Sequence, residues 1–372
     1  MNCAGELKLL IVEDDEAQVQ LYNDAIDESN RNSDIQILPE VFGDLESGLE
    51  NLKSGGFDAA IVDLKLGVDD SEGDGNKIIR EIKENLRFPV FVMSGFLDEL
   101  DSDLREQNIF YRCYERTKKE TGELLGEITS LYNTGITRIL GNTGIIEGSL
   151  HKVFWEHIAK NMEYWKNEAQ HIENPEKTLS RHVLAYLSEY IKLTETEEFD
   201  LYHPAEIYLI SPVKEAFYTG DILKKKDGGE FYVILTPACD MTLQEKENGS
   251  KCRNAEKILL VSMIQLRDIP KIEDYILDPN NSNKKKVVKY IKNTENMYYH
   301  FLPPFGELLP GFVINFRSIC QIEESEFSDY DRIASIDLVF LKNIISRFTS
   351  YYARQGQPEF NIDTIFEKIK GL

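Results

Sequence analysis

The chain has 372 residues, of which 42% are hydrophobic, and a formal net charge of −23. This length is sufficient for two or three domains, and the apolar share is sufficient to fill ordinary cores. No apolar run reaches the roughly 18 residues of a membrane-spanning helix, and no signal-peptide pattern is seen. We therefore expect a cytoplasmic protein whose five scattered cysteines are reduced thiols.

The negative charge is concentrated in the first third of the chain. Residues 1–133 contain 13 Lys and Arg against 30 Asp and Glu, whereas residues 201–372 contain 22 against 24. Affinity for nucleic acid depends mainly on Lys and Arg residues that neutralise phosphates. The nearly neutral C-terminal region therefore argues against nucleic-acid binding. Of the functions considered below, regulation by DNA binding is the least favoured.

From residue 7 onward, short apolar runs alternate with segments of helical period. The predicted strands are Leu7–Val12, Ile35–Val41, Ala59–Leu64, Val90–Ser94 and Ile109–Tyr114. The helices between them are predicted to start near Glu16, Leu45, Asn76, Leu97 and Glu120. Five such pairs predict an α/β domain over residues 1–133, with a doubly wound, parallel five-stranded sheet that binds ligands at the carboxyl ends of its strands.

Residues 134–200 form a predicted helical region. Gly148–Asn167 and Leu179–Leu193 both carry apolar residues at spacings of three and four. We expect these two faces to pack on each other or on a neighbouring domain. The alternative is a helical hairpin that dimerises, in which case the protein would be a homodimer.

The pattern changes after about residue 200, where β-like runs are separated by Gly, Pro and Asn. The predicted strands are Glu206–Ile210, Tyr218–Leu223, Phe231–Thr236, Ile258–Ile264 and Phe312–Phe316. Helices are predicted over Lys285–Asn293 and Asp337–Tyr352. These elements predict an α+β domain over residues 201–372 around a small, strongly bent sheet, with a barrel-like arrangement as the extreme case.

Carboxylates follow two of the strands predicted for the first domain. Glu13 and Asp14 lie just past the first strand, and Asp63 ends the third. Clustered carboxylates repel one another, so the site needs a cation, and hard oxygen ligands with room for water suit Mg²⁺. The metal would orient a phosphoryl group for in-line attack by Asp63, and the product would be a covalent aspartyl-phosphate.

Two further residues are expected to contact such a phosphate. Ser94 closes the fourth strand, where its hydroxyl can donate to a phosphoryl oxygen. Arg116 supplies a cation after the fifth strand. We expect Arg116 to pair with the phosphoryl group alone, and therefore to contribute little to the stability of the unphosphorylated protein.

Residues 7–133 resemble the response-regulator receiver (CheY-like) family. The matching segments are Leu9-Leu10-Ile11-Val12-Glu13-Asp14-Asp15, Ile61-Val62-Asp63-Leu64, Gly75, Met93-Ser94-Gly95 and Glu115-Arg116-Thr117. The resemblance implies that Asp63 accepts a phosphoryl group from a partner histidine kinase or phosphotransfer protein. It also implies that Asp14, Asp63 and the backbone carbonyl of Lys65 bind Mg²⁺ directly. Glu13 would act mostly through water.

The sequence departs from the family pattern at two positions. Arg116 followed by Thr117 replaces a lysine that is usually followed by proline, and a guanidinium is a planar fork rather than a point charge. Cys113 stands at the usual aromatic switch position, with Tyr111 and Tyr114 close by. Phosphorylation is still expected, and a degenerate receiver that keeps only the fold is the alternative.

Cys239 and Asp240 follow a strongly apolar predicted strand in the C-terminal domain. Such a pair suits a nucleophile with its neighbour, or metal ligands together with Cys252 and His203. The simpler interpretation is a buried structural cysteine, with Asp240 capping a turn.

The expected function is a response regulator whose output acts through contacts with an unknown protein. The alternatives are a receiver-controlled enzyme that uses the Cys239–Asp240 region and a phosphate sink in a signalling or defence system.

Overall fold

The computed structural model describes residues 5–67, 74–192, 201–245, 251–306, 309–356 and 358–372, leaving aside the side chains of residues 53, 54 and 251. The chain divides into two compact units, Met1–Phe199 and Asp200–Leu372. Cys3 and Leu193 lie outside the described residues. Among the described helices, none combines the length and the apolar character that crossing a bilayer requires.

A five-stranded parallel sheet forms the centre of the first unit. Its strands are β1 (Gly5–Val12), β2 (Ile35–Phe42), β3 (Ala59–Val62), β4 (Val90–Ser94) and β5 (Tyr111–Glu115). They lie in the order β2-β1-β3-β4-β5, which confirms the predicted doubly wound fold. The change in strand order falls between β1 and β3, the position at which such sheets bind ligands.

Helices cover both faces of this sheet. They are α1 (Glu16–Asn32), α2 (Leu45–Ser54), α3 (Asp74–Asn85) and α4 (Thr121–Asn133). Because side chains alternate along a strand, Leu10 and Val12 of β1 share a core with α2 and α3, whereas Leu9 and Ile11 share one with α1 and α4.

The prediction of a helix that starts near Leu97 is wrong. Two short 3₁₀ turns, Leu97–Glu99 and Ser102–Leu104, occupy this segment. Asp101 and Asp103 both accept hydrogen bonds from Arg80 of α3, and the backbone carbonyl of Glu99 accepts one from Asn76. The segment is rich in Asp and Ser, which have low helix propensity, and contacts with α3 hold it in a non-helical path.

The helical region of the first unit contains both predicted helices. Its elements are α5 (Ile136–Leu140), α6 (Ile145–Lys152), a π-helical turn (Val153–Ile158), α7 (Ala159–Glu168) and α8 (Pro175–Lys192). The π-helical turn packs on α8, where the His157 ring stacks on Tyr186 with a centroid distance of 4.4 Å. The Nε2 atom of His157 lies 2.9 Å from the Tyr190 hydroxyl.

The second unit contains a seven-stranded antiparallel sheet that curls into a half-barrel. Its strands are β6 (Tyr208–Ile210), β7 (Asp221–Lys225), β8 (Phe231–Ile234), β11 (Ile258–Gln265), β12 (Tyr299–Leu302), β13 (Phe312–Ile322) and β14 (Tyr330–Ile336). They lie in the order β12-β13-β11-β8-β7-β14-β6, so β12 and β6 are the edges. The predicted bent sheet is confirmed. β12 and β14 were not predicted.

Helices and one short ladder accompany this sheet in the second unit. They are a two-stranded ladder of β9 (Gln244–Glu245) and β10 (Lys251–Cys252), and the helices α9 (Ala238–Met241), α10 (Pro270–Leu277), α11 (Asn281–Ile291), α12 (Leu338–Ala353) and α13 (Ile362–Lys370). Leu341 and Ile344 of α12 are buried in the same core as β8, β11 and β13. This helix therefore closes one face of the half-barrel.

Candidate functional site

Three carboxylates meet at the carboxyl ends of β1 and β3. Val12 and Val62 are paired residues of these two strands, and Glu13 and Asp63 follow them directly. One oxygen each of Glu13, Asp14 and Asp63 lies within 4.8 Å of the other two. Glu13 and Asp63 are buried, whereas Asp14 is exposed. The structure therefore brings together the three acidic residues that the sequence singled out.

Backbone hydrogen bonds fix the positions of these carboxylates. The Asp63 N–H donates to the Val12 carbonyl at 2.9 Å, and Asp63 Oδ1 accepts from Leu64 N at 2.8 Å. Asp14 Oδ2 accepts from Gly67 N at 2.8 Å, which ties the loop containing Lys65 to the acidic cluster. The Lys65 carbonyl thus belongs to a loop that contacts the site.

Gly75, in the first turn of α3, packs directly against the backbone of Asp63. A Cβ atom on Gly75 would lie 2.2 Å from the Asp63 carbonyl oxygen and 2.5 Å from the Leu64 Cα. No side chain fits at these distances, so the close approach of α3 to the end of β3 requires glycine.

Arg116 lies among the carboxylates. Its Nη2 is 2.5 Å from Glu13 Oε2 and 3.0 Å from Asp63 Oδ2, and its Nη1 is 3.8 Å from Asp15 Oδ2. The expectation that Arg116 pairs with a phosphoryl group alone is therefore wrong. The sequence did not show that the surplus negative charge of this pocket attracts the guanidinium before any phosphate is present.

The pocket shifts the pKa values of the groups that line it. Burial raises the pKa of Glu13 to about 7, and the negative charge of Asp63 acts in the same direction, although Arg116 opposes both. Desolvation opposes the charge of Arg116, but the Glu13 and Asp63 carboxylates raise the pKa of its guanidinium overall.

Ser94 and Cys113 occupy neighbouring strands at this edge of the sheet. Ser94 ends β4 and is fully buried, and its Oγ accepts a hydrogen bond from Phe96 N at 3.2 Å. The Ser94 carbonyl accepts from Arg116 N at 3.1 Å, so the two residues are joined through the backbone. Cys113 is half-buried in β5, and its N–H donates to Gln107 Oε1 at 2.9 Å.

Tyr22 of α1 is a polar residue near the pocket that the sequence did not identify. Its hydroxyl is buried without a hydrogen-bond partner in the described part of the chain. Burial raises its pKa above the ordinary value for tyrosine, and the Glu13 carboxylate adds to this effect. In the sequence Tyr22 is one more apolar-face residue of an amphipathic helix, which gives no signal of the neighbouring charge.

The donor set fits Mg²⁺. Three carboxylates converge on one point, and within the described residues Arg116 is the cation that pairs with two of them. Negative charge therefore remains in excess, and the ligands are the hard oxygen atoms that Mg²⁺ prefers.

Cys239 and Asp240 lie in α9 of the second unit. The expectation of a buried cysteine is wrong, because Cys239 is exposed. Its thiol lies 3.7 Å from Asp240 Oδ1. Of the two residues suggested as metal-ligand partners, His203 uses its Nδ1 to accept from Ala205 N in a helix-capping arrangement, whereas Cys252 lies in the β9–β10 ladder with a free thiol. Periodicity along a strand does not extend to the short turn that follows it, which explains the error.

No protein-family model matches the chain, and no curated protein matches it. Several solved structures do. The CheY-like response-regulator receiver domain from Methylobacillus flagellatus is 17% identical, with a TM-score of 0.28, and the alignment covers 34% of this chain and 99% of that one.

Two other similar structures contain Mg²⁺. The receiver domain of a sensor histidine kinase from Pseudomonas aeruginosa, with magnesium in its active-site cleft, is 16% identical over 35% of this chain and 99% of that one, with a TM-score of 0.27. A response regulator protein from Thermotoga maritima in complex with Mg²⁺–BeF is 16% identical over 34% and 98%, with a TM-score of 0.26. The strand order of the first sheet is that of the flavodoxin-like doubly wound fold, which receiver domains share.

Proposed function

We propose that residues 1–133 are an active receiver domain that accepts a phosphoryl group on Asp63, with Mg²⁺ as cofactor. The observation that supports this most directly is the cluster of Glu13, Asp14 and Asp63 at the switch point of the sheet. The donor would be a histidine kinase or a phosphotransfer protein. A degenerate receiver would have no need to keep this excess of buried negative charge, which is costly without a cation.

The residues of the pocket have distinct parts in this reaction. An Asp63 carboxylate oxygen forms the bond to phosphorus as the bond from phosphorus to the donor's leaving atom breaks. The Leu64 N–H, which donates to Asp63 Oδ1, holds the carboxylate in one rotation. Bound Mg²⁺ would be held by Asp14, Asp63 and the Lys65 carbonyl, with Glu13 acting through water, and would offset negative charge.

Arg116 would change partners during phosphorylation. Its guanidinium pairs with both Glu13 and Asp63 before the reaction. Once the phosphoryl group is on Asp63, the same N–H groups can donate to its oxygens, as can the Ser94 hydroxyl. The movement of one cation from carboxylates to phosphate is therefore the change that phosphorylation would produce in this pocket.

Labelling with a small phosphodonor tests the proposal. Acetyl phosphate with Mg²⁺ should add one phosphate per chain to the wild type and none to Asp63→Asn, as measured by intact-protein mass spectrometry. Asp24→Asn, which changes an exposed carboxylate of α1, is the matched control and should be labelled as the wild type. Equal labelling of Asp63→Asn would contradict the assignment.

The roles of the two neighbouring acids can be separated by titration. Asp14→Asn should weaken Mg²⁺ binding more than Glu13→Gln, because a direct ligand contributes more than one that acts through water. The opposite order would show that Glu13 is the direct ligand.

We further propose three regions: a receiver at 1–133, a helical region at 134–200 and an output domain at 201–372. The output would act in the cytoplasm through protein contacts, or the chain would act as a phosphate sink without an active output. The helical region has exposed aromatic residues, Phe154, Trp155 and Tyr164. They favour output through protein contacts over a phosphate sink, and they also favour a homodimer. Light scattering with and without beryllofluoride, on the wild type and Trp155→Asp, tests the homodimer.

A further inference from the structure

A cavity of about 360 Å³ lies within the C-terminal unit. The edge strand β12, helix α12, the region that ends α11 and the segment of residues 202–207 supply its walls. Its volume lies within the range of small-molecule sites, which are mostly apolar with a few placed polar groups.

His300 of β12 lines this cavity. The residue is only 7% exposed, and its Nδ1 atom is enclosed and without a hydrogen-bond partner in the described part of the chain. Such atoms are rare in native proteins. Because Nδ1 is enclosed, the other ring nitrogen, Nε2, is the one left to meet a molecule in the cavity. Burial, with the nearby charge of Arg347, lowers the pKa of His300 to about 3. The imidazole is therefore neutral and offers one N–H donor and one acceptor.

Two asparagine side chains lie in the same walls. Asn293 has a left-handed backbone with a φ of 55°, and its Oδ1 accepts from Phe301 N at 2.7 Å. Its Nδ2 group is thereby left as a donor. Asn343, on α12, supplies a second amide at the cavity wall. Two amides, the neutral imidazole of His300 and the imidazole of His203, which also lines the cavity, give both donors and acceptors.

The rest of the lining determines the kind of molecule that fits. No Asp, Glu, Lys or Arg is found among the described residues that line the cavity. Tyr202 and Phe340 contribute aromatic walls, with ring centroids 5.4 Å apart and planes at 83°. A phosphate or carboxylate would find no lysine or arginine among the described lining residues to balance its charge. A flat, uncharged molecule with an apolar face and one polar edge suits the aromatic walls and the amide and imidazole groups.

We propose that this cavity binds a small, neutral nitrogen heterocycle of the size of a nucleobase or nucleoside. Its ring lies against Tyr202 and Phe340, and its polar edge exchanges hydrogen bonds with His300, Asn293 and Asn343. The site is independent of Asp63 and would give the output unit a ligand of its own.

Binding to the full-length protein tests this site. Adenine, cytosine and adenosine are the probes. Their binding is measured by saturation-transfer NMR and by the ¹⁵N chemical shifts of the histidine rings. At least one probe should bind saturably and shift the His300 ring nitrogens. Adenosine monophosphate should bind no more tightly than adenosine, because no lysine or arginine is among the described residues that line the cavity.

Four substitutions complete the test, two in the cavity and two controls outside it. Asn343→Leu and His300→Phe should each weaken binding at least about tenfold, since a site built on hydrogen bonds discriminates strongly when one partner is lost. Asn167→Leu, an exposed amide on α7, should bind as the wild type, and so should Asp63→Asn.

Absence of binding by all three probes at millimolar concentration would overturn the proposal. Binding to the wild type that leaves the ¹⁵N shifts of His300 unchanged would also overturn it. This measurement uses the wild type alone and does not depend on whether a variant folds.

Discussion

Both units bury carboxylates, but they neutralise them differently. In the second unit, Asp221 is 1% exposed, and its oxygens accept hydrogen bonds from Tyr218 N at 2.8 Å, from the Ser335 hydroxyl and from Arg332. In the first unit, Glu13 and Asp63 share the single guanidinium of Arg116 and repel each other.

This difference separates a structural carboxylate from a functional one. Asp221 has a neutral donor on each oxygen and a cation beside it, so its negative charge is matched within the fold. The Glu13–Asp14–Asp63 cluster has more charge than its surroundings neutralise, and a cation from solution would complete it. A surplus of buried charge is therefore the better indicator of a site than burial itself.

The largest expected effect is on the stability of the second unit. Asp221→Ala should lower the free energy of unfolding by about 3 kcal/mol, because it leaves Arg332 and the Tyr218 N–H without their acceptor. Urea unfolding should show the same loss with and without Mg²⁺. Asp331→Ala, an exposed carboxylate on β14, is the control and should change little. If Mg²⁺ reversed the loss of stability, Asp221 would belong to a cation site, and the contrast between a structural and a functional carboxylate would be wrong.

The second prediction concerns the pH dependence of the metal-free first unit. Because the pKa of Glu13 is raised to about 7 in the folded state, that state binds more protons than the unfolded chain between about pH 4.5 and 7. Stability should therefore fall as pH rises through this window, by an amount on the order of 3 kcal/mol. Glu13→Gln should flatten the slope, and an equal slope in this variant would assign the titration to another group.

Mg²⁺ should reverse this pH dependence. The metal requires the ionised carboxylate, so its affinity should increase as pH rises toward and beyond 7. Calorimetric titration at several pH values measures this directly. Asp221→Ala, which leaves the acidic cluster unchanged, should keep the same pH profile of Mg²⁺ affinity as the wild type.

A smaller effect is expected from Arg116→Ala. Without Mg²⁺ it should lower the free energy of unfolding by about 1–2 kcal/mol, because Glu13 and Asp63 lose their shared cation in a partly solvated pocket. Saturating Mg²⁺ should reduce this loss, and Mg²⁺ should bind the variant more tightly than the wild type. Arg87→Ala, which breaks a surface pair with Glu147, should show neither Mg²⁺ effect. Weaker Mg²⁺ binding in Arg116→Ala would show that the guanidinium supports the metal site.

The sequence predicted the first sheet and its acidic residues because both follow from local patterns. In a parallel sheet with helical crossovers, strand ends lie on one edge, so Glu13 and Asp63 must be neighbours once their strands are identified. The prediction of a helix near Leu97 failed because of contacts from outside that segment: Asp101 and Asp103 contact Arg80 of α3, 21 and 23 residues earlier in the chain.

The second unit was less predictable because its contacts are non-local. The strand order places β14 between β7 and β6, which no local pattern reveals. His300 is one residue of an edge strand that was not predicted, and its isolation depends on α12, whose Arg347 and Asn343 come from more than 40 residues later in the chain. The exposed position of Cys239 depends on a turn whose direction the preceding strand does not determine.

The smallest expected effect concerns Cys239, and it tests whether the second unit contains chemistry of its own. As an exposed thiol in a four-residue helix, Cys239 should react rapidly with a thiol reagent in the native protein. Cys113 provides the comparison, because it is half-buried and burial raises the pKa of its thiol, so it should react more slowly. Cys239→Ala should change the free energy of unfolding by less than about 0.5 kcal/mol, as surface substitutions usually do. Peptide mapping of the labelled residues and urea unfolding measure both quantities. Rapid labelling with full output in Cys239→Ala would leave Cys239 a surface thiol, whereas loss of output at unchanged stability would favour the enzymatic alternative over output through protein contacts.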